Sequence, residues 1–129
     1  MHINLESDYA VRIVHCLAGA KGRMDAQTIA ERAVVSLRFT LKIMQKLVAA
    51  GIVCSYKGAK GGYELSRDPS EITLYQVIEA MEGPYRFSRC VGGDYNCNCS
   101  SASTCRFYAV FDEITGTVIE RLNQVTFAE

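Results

Sequence analysis

The chain has 129 residues, 49% of which are hydrophobic, and its 14 basic and 14 acidic side chains cancel. This length and composition suit one domain with a core of its own, which needs no disulfide staples. No apolar stretch reaches the ~20 residues of a membrane span, and the polar opening segment 1–9 lacks the features of a secretory signal. We therefore expect a cytoplasmic protein whose cysteines stay reduced or bind metal.

Apolar residues at helical spacing predict three helices in the first fifty residues. Ser7, Asp25 and Ser36 are expected to cap them, and Gly51 is expected to end the third. The second and third helices, joined by a short turn at 33–35, predict a helix-turn-helix. The expected buried stripe of the third helix consists of Leu37, Leu41, Met44, Leu47 and Val48.

After the third helix the pattern changes to that of a β-hairpin, with strands at 52–56 and 63–65. The connection between them contains three glycines and two lysines: Gly58, Gly61, Gly62, Lys57 and Lys60. A hairpin directly after a helix-turn-helix predicts a winged helix, with the lysines at the tip of the wing. Thr73 and Gln76 then form a capping box that opens a fourth helix.

The last part of the chain predicts one long helix with a narrow apolar stripe. The stripe consists of Phe107, Phe111, Ile114, Val118, Leu122 and Val125. A second copy of the chain is the expected partner of this stripe, which gives a homodimer; folding back onto the same chain is the alternative. The predicted fold is mainly α with a small β-hairpin. It divides into a winged helix-turn-helix domain at 1–82, a cysteine loop at 83–105, and a dimerisation helix and tail at 106–129.

The neutral net charge conceals a polarised distribution. The window 21–67 holds nine basic and only three acidic residues, a charge of +6, which leaves −6 for the rest of the chain. Together with the predicted helix-turn-helix, this basic window predicts binding to a double-stranded DNA operator, although charge alone would also fit a solvated surface. The candidate DNA contacts are Ser36, Arg38, Phe39, Thr40, Lys42 and Lys46 on the third helix, and Lys57 and Lys60 on the wing.

Four of the six cysteines fall within sixteen residues, as Cys90, Cys97, Cys99 and Cys105. In a reducing compartment, thiolates at this density more often bind a metal than form disulfides. Soft thiolate ligands suit iron–sulfur clusters and zinc. The segment 83–104 has almost no apolar periodicity of its own, so a bound metal is the expected source of its order.

Several segments together resemble one family. They are Asp-Tyr-Ala-Val at 8–11, Ser-Leu-Arg-Phe at 36–39, the wing sequence at 56–63, the start of the fourth helix at 72–78, and the cysteine loop. In this combination and order the chain resembles the winged-helix iron–sulfur transcriptional regulators of the IscR, NsrR and RirA type, over nearly its whole length. The resemblance implies a DNA-binding homodimer that crosses through its C-terminal helices, with a cluster in each half. A 4Fe–4S cluster is favoured and a 2Fe–2S cluster is an alternative.

The resemblance also implies the cluster ligands. Cys90, Cys99 and Cys105 match the three ligand cysteines of the family, but Cys90 and Cys99 stand further apart than usual and Cys97 is additional. Cys97 is therefore an alternative ligand. Asp8 matches the fourth ligand of the NsrR-like members, where the partner subunit supplies it. Taken without the resemblance, Asp8 would be interpreted as an acid favoured by the dipole at a helix start.

Other functions stay open at this stage. The cysteines of a DNA-binding regulator also fit a structural zinc site or a thiol–disulfide switch. An iron–sulfur electron carrier is less well supported, because such a carrier has no use for the basic window and the wing. An enzyme is not expected: His2 and His15 have no partner in a nucleophile motif, and the wing glycines lack the spacing of a phosphate-binding loop.

Overall fold

The computed structural model describes residues 2–92 and 105–128. Its elements in chain order are α1 (Leu5–Ala18), α2 (Ala26–Ala33), α3 (Leu37–Ala49), β1 (Val53–Tyr56), β2 (Gly62–Leu65), a short 3-10 turn (Pro69–Glu71), α4 (Leu74–Glu82) and α5 (Arg106–Asn123). This architecture confirms the predicted winged helix, mainly α with one antiparallel hairpin. No helix in the described ranges is long and apolar enough to cross a membrane.

The N-terminal caps of α2, α3 and α4 are as the sequence predicts. The Asp25 carboxylate accepts the backbone N–H three residues later at 2.7 Å, and the Ser36 hydroxyl accepts the N–H of Phe39 at 3.2 Å. Thr73 and Gln76 form both hydrogen bonds of the capping box. Because each cap satisfies backbone groups that a helix start leaves open, α2, α3 and α4 begin where these residues stand.

The cap of α1 differs from the prediction. Asn4 accepts the backbone N–H of Ser7 at 2.8 Å, so the helix begins at Leu5 and the prediction of a Ser7 cap is wrong. Ser7 is fully buried, and its hydroxyl donates to the carboxylate of Glu82 at the end of α4. Both residue types cap helices well, and a contact 75 residues away in sequence decides between them.

The core is built from α1, α2, α3 and α4, and it includes Ile13, Ile29, Leu47 and Val77. The buried face of α3 consists of Thr40, Ile43, Met44 and Leu47. Three members of the predicted stripe are exposed instead: Leu37 (41%), Leu41 (42%) and Val48 (37%). The prediction is confirmed for Met44 and Leu47 and wrong for the other three members. The helix is rotated about its axis relative to the prediction, so Thr40 and Ile43, rather than Leu37 and Leu41, complete the core.

The wing is joined to the turn between α1 and α2. β1 and β2 pair antiparallel, with Val53 opposite Leu65. Met24 adds a bridge to the outer side of β2 through two backbone hydrogen bonds with Tyr63, of 2.9 and 2.8 Å. At Gly62, φ is +131° and a Cβ atom would lie 2.9 Å from the Met24 carbonyl oxygen. Only glycine allows this close approach without distortion.

Part of the stripe of α5 packs against its own chain. The Phe87 and Phe111 rings lie 5.3 Å apart between centroids, and the buried Thr115 hydroxyl accepts the backbone N–H of Phe87 at 2.9 Å. Phe107 and Val110, near the start of the helix, are half-exposed. The fold therefore uses the middle of the stripe internally and leaves its N-terminal end open.

Candidate nucleic-acid interface and cysteine loop

The outer face of α3 presents cations. Arg38 and Lys42 are exposed, and helix α3 contains no acidic residue. Phe39 is half-buried, and its ring packs edge-on against Tyr9 with 5.3 Å between centroids, so it supports the helix from the side of α1. Ser36 is exposed; its hydroxyl oxygen accepts the cap hydrogen bond, and its O–H is still able to donate to a phosphate.

Thr40 does not lie on this face. It is fully buried, and its hydroxyl has no hydrogen-bond partner among the described residues. Its place in the core follows from the rotation of α3. The prediction of a DNA contact is therefore corrected for Thr40, because a side chain buried in the core cannot reach DNA.

Two of the predicted DNA contacts are held by one acidic residue of α1. The Glu6 carboxylate, whose side chain is only 13% exposed, pairs with Lys42 at 3.4 Å and accepts a hydrogen bond from Lys46. The hydrogen bond from Lys46, with the charges of both lysines, holds the pKa of Glu6 below its usual value against the opposing effect of burial. A DNA phosphate that binds Lys42 or Lys46 would therefore compete with the Glu6 carboxylate for the same ammonium groups.

The wing tip has a separate support. Lys57 and Lys60 are exposed. The Arg23 guanidinium stacks on the Tyr56 ring, 3.4 Å from its centroid, and donates to the backbone carbonyl of Lys60 at 3.2 Å. Arg23 also lies 3.9 Å from the Glu64 carboxylate. It thus contacts both strands and the tip of the hairpin.

Sequence reasoning assigned no role to Glu6 or Arg23. Glu6 lies 36 and 40 residues from its lysine partners, so no local spacing indicates the contact. In the sequence, Arg23 is one of nine cations in the basic window, and nothing distinguishes it by charge. Its position after a glycine and before the capped start of α2 does indicate a turn, which a neighbouring strand can approach.

The cysteine loop is described at its two ends. Cys90 and Cys105 are half-buried, and neither forms a disulfide within the described ranges. Cys105 is the N-cap of α5, and its sulfur accepts the backbone N–H of Tyr108 at 3.4 Å. The predicted ligands Cys97 and Cys99 lie outside the described residues. Residues 2–92 and 105–128 by themselves bring together no group of three metal-ligating side chains.

Asp8 lies on α1, about half-exposed, and pairs with Arg12 one turn later at 3.3 Å. It stands beside a contact between α1 and the end of α4. There the Glu82 carboxylate accepts the Asn4 backbone N–H at 3.1 Å and the Ser7 hydroxyl. We call residues 4–8 the first-turn junction, because this segment touches α4 through Glu82 and α3 through Glu6.

A winged helix with a cationic recognition helix and a cationic wing defines a DNA-binding transcriptional regulator. The chain belongs to the Rrf2 family of iron-dependent transcriptional regulators, whose family model matches residues 3–129. The resemblance found in the sequence is thereby confirmed. Its relatives are regulators of transcription rather than enzymes, as the sequence predicts.

Individual relatives agree with this assignment. Protein aau3 of Rhizobium meliloti is 32% identical over 130 residues, which cover 95% of this chain and 84% of that protein. The transcriptional regulator IscR of Serratia proteamaculans is 28% identical, covering all of this chain and 78% of its own. Among solved structures, T. potens IscR superposes with a TM-score of 0.74 at 26% identity, covering 98% of this chain and 83% of that one. CymR, described as the global cysteine regulator of B. subtilis, gives 0.76 at 25% identity, with 98% and 93% covered.

Proposed function

We propose that the chain is a homodimeric regulator whose loop, residues 83–105, holds an iron–sulfur cluster that gates operator binding. The observation that carries the proposal is the match to an iron-dependent family by a chain with four cysteines between positions 90 and 105. A 4Fe–4S cluster is the first choice and a 2Fe–2S cluster the second. The signal would be nitric oxide, the supply of iron or clusters, or redox stress.

The described donors fit such a group. Cys90 and Cys105 are half-buried thiols outside any described disulfide, and Cys105 lies where the N-terminus of α5 favours a negatively charged ligand. With Cys99, or with Cys97 in its place, they would form a set of three thiolates. When bound, the cluster would supply a centre whose stability depends on its ligands and on redox chemistry.

Asp8 of the partner subunit is the proposed fourth ligand. Its carboxylate is about half-exposed, so a second copy can reach it, but it is paired with Arg12. Ligation would have to displace Arg12, and a hard carboxylate among thiolates is a weak ligand for iron. A site completed in this way would be easily opened, which suits a sensor.

The contacts of the first-turn junction support the gating. Glu82 is the last residue of α4, directly before the loop, and it holds Asn4 and Ser7. Glu6, in the same turn, holds Lys42 and Lys46 of the recognition helix. A rearrangement of the loop that moves the end of α4 would therefore change the position of α1 against α3.

The metal site is tested by anaerobic purification followed by iron, sulfide and zinc analysis. We expect coloured protein with iron and acid-labile sulfide, and loss of both in Cys90→Ala and Cys105→Ala. Cys54→Ala, a half-buried thiol on β1, is the matched control and should keep the cluster. Comparison of Cys97→Ala with Cys99→Ala identifies the third thiolate. Colourless protein with one zinc per chain would refute the cluster.

The gating is tested by operator affinity, measured by fluorescence anisotropy with the anaerobic holo-protein and with the apo-protein. A regulator of this kind must bind DNA differently in the two states. Equal affinities would contradict the gating while leaving DNA binding intact. Asp8→Ala should weaken cluster retention; an unchanged cluster in this variant would remove Asp8 from the ligand set.

A thiol–disulfide switch is the second candidate function. It is favoured by the similarity to CymR, described as a cysteine regulator, and by the additional cysteine at position 97, which stands between two predicted ligands in the sequence. In that case, operator affinity would change with oxidised and reduced dithiothreitol in metal-free protein. Insensitivity of the metal-free protein to these reagents would exclude it.

A further inference from the structure

The recognition helix carries an aliphatic strip that the core does not use. Val34, Leu37 and Leu41 are 77%, 41% and 42% exposed. Val34 lies in the turn before α3, and Leu37 and Leu41 follow within the first two turns of the helix, where a recognition helix approaches base edges. Apolar side chains left exposed together at the start of a recognition helix are available for a contact with a partner.

The backbone at Val34 strengthens this point. Val34 has φ of 59° and ψ of 52°, and among the described residues it is the one non-glycine residue with positive φ. A β-branched residue is strained in this conformation, whereas glycine would adopt it freely. Because the side chain is mostly exposed, packing within the chain does not offset the strain. The backbone conformation closes α2, because the N–H groups of Val34 and Val35 both bond the Ala30 carbonyl, and it leaves the Val34 side chain available for a contact outside the chain.

The surroundings of the strip indicate the occupant. Leu37 and Leu41 lie about 40° apart around the helix axis, and Arg38 lies about 100° from Leu37. Arg38, Lys42 and Gln45 are exposed beside the strip, and α3 has no acid. Aliphatic groups beside cations and an amide, on a helix without acids, complement the major groove of DNA, which has phosphates along its rims and thymine methyl groups on its floor.

We infer that Leu37 and Leu41, together with Val34, are specificity-determining residues that contact the C5-methyl groups of thymines in the major groove of the operator. The inference rests on the proposed binding of an operator through α3. It names what the recognition helix reads: thymines by apolar contact, next to phosphate and guanine contacts from Arg38 and Lys42.

The test begins with selection of an operator from random duplexes by the full chain, purified anaerobically. Each thymine of the selected site is then replaced singly by deoxyuridine, which keeps the base pair and the O4 acceptor and removes only the methyl group. We expect binding to weaken about fourfold at each contacted thymine, the value of one buried methyl-sized group.

Protein variants assign each methyl group to a side chain. Leu37→Ala should bind thymine and deoxyuridine equally at one position of the half-site, and Leu41→Ala at another. Leu37→Met, which keeps the apolar surface, should retain the discrimination. Arg38→Ala is the control: it should weaken binding to all duplexes and still distinguish thymine from deoxyuridine. Thermal unfolding of each variant checks that the half-exposed substitutions leave the fold intact.

The outcomes separate this inference from the function on which it rests. If the wild type binds an operator but does not distinguish thymine from deoxyuridine at any position, or if Leu37→Ala and Leu41→Ala discriminate as well as the wild type, the inference is wrong and DNA binding stands. If Leu37→Ala changes the oligomeric state of the DNA-free protein in sedimentation, the strip is a contact between copies and the inference is also wrong. If no duplex is bound, the proposed function itself fails.

Discussion

Substitution of Glu6 by glutamine should lower the stability of the protein and raise its affinity for DNA. The carboxylate pairs with Lys42 and Lys46, whose side chains are 62% and 41% exposed. Partly exposed ion pairs contribute about 0.2–1 kcal/mol each, so the loss of both should lower the free energy of unfolding by ~1 kcal/mol. For a domain of this size that corresponds to a fall in Tm of about 4 °C.

The gain in DNA affinity follows from the same geometry. A phosphate that contacts either lysine would come within about 6 Å of the Glu6 carboxylate, where repulsion in water is ~0.7 kcal/mol for each phosphate. Removing the repulsion between Glu6 and two such phosphates would raise the affinity for DNA about tenfold at low salt. Screening reduces this gain to about threefold at physiological salt. Glu6→Gln should therefore bind DNA more tightly, by a factor that shrinks as salt rises.

The assay combines urea denaturation with fluorescence anisotropy at several salt concentrations. Glu31→Gln is the matched control, because Glu31 is exposed on α2, accepts a hydrogen bond from Gln27 at 3.0 Å and makes no ion pair with the recognition helix. If Glu31→Gln raised the affinity as much as Glu6→Gln, net charge alone would be responsible. If Glu6→Gln bound no more tightly than the wild type, the reasoning would be refuted.

The pH dependence of the stability offers a second measurement on the same variant. The pKa of Glu6 is lowered in the folded chain, chiefly by the hydrogen bond from Lys46. Its contribution to stability is therefore complete above the usual carboxyl pKa of about 4.3 and is lost as pH falls through the lowered value. The difference in stability between wild type and Glu6→Gln should be constant near neutral pH and shrink in acid.

Two further predictions concern the wing. Arg23→Ala should lower the Tm by a few degrees and weaken operator binding about threefold, because the tip loses its stacking and carbonyl contacts; the exposed Arg32→Ala should change neither, and an equal loss in both variants would contradict the role of Arg23. Gly62→Ala should lower the free energy of unfolding by more than ~2 kcal/mol, since the new methyl group meets the Met24 backbone, whereas Gly22→Ala, at φ +101° with open space, should cost only the backbone strain. Urea denaturation of the two glycine variants compares them directly.

Local chemistry made much of the fold predictable. The caps at Asp25 and Ser36 and the capping box at Thr73 and Gln76 are hydrogen bonds between residues three apart in sequence. Short segments therefore suffice to predict where three helices start. The glycine-bearing connection after Tyr56 likewise predicts a hairpin. These features depend on contacts within a few residues, which a sequence displays.

The failures have a common physical reason. Two stripes of α3 have helical spacing, one through Leu37 and Leu41 and one through Ile43 and Leu47, and apolar character alone cannot distinguish a core from a surface that awaits a partner. The choice of Asn4 rather than Ser7 as the cap of α1, and the lysine pairs of Glu6, depend on contacts between helices far apart in sequence. For the candidate site, the sequence predicted that cations lie on α3 and on the wing tip, but it did not predict that Thr40 is buried or that Glu6 competes for Lys42 and Lys46.

The first-turn junction offers a route for coupling between the proposed cluster and the operator, since α1 touches both the end of α4 and the recognition helix. If a cluster alters operator affinity, thermodynamic linkage requires that DNA binding alter cluster affinity by the same factor. Operator DNA would then be an effector of the metal site. A molecule seated on its operator and one free in solution would lose iron at different equilibrium concentrations, so the number of vacant operators would help to set the threshold of the sensor.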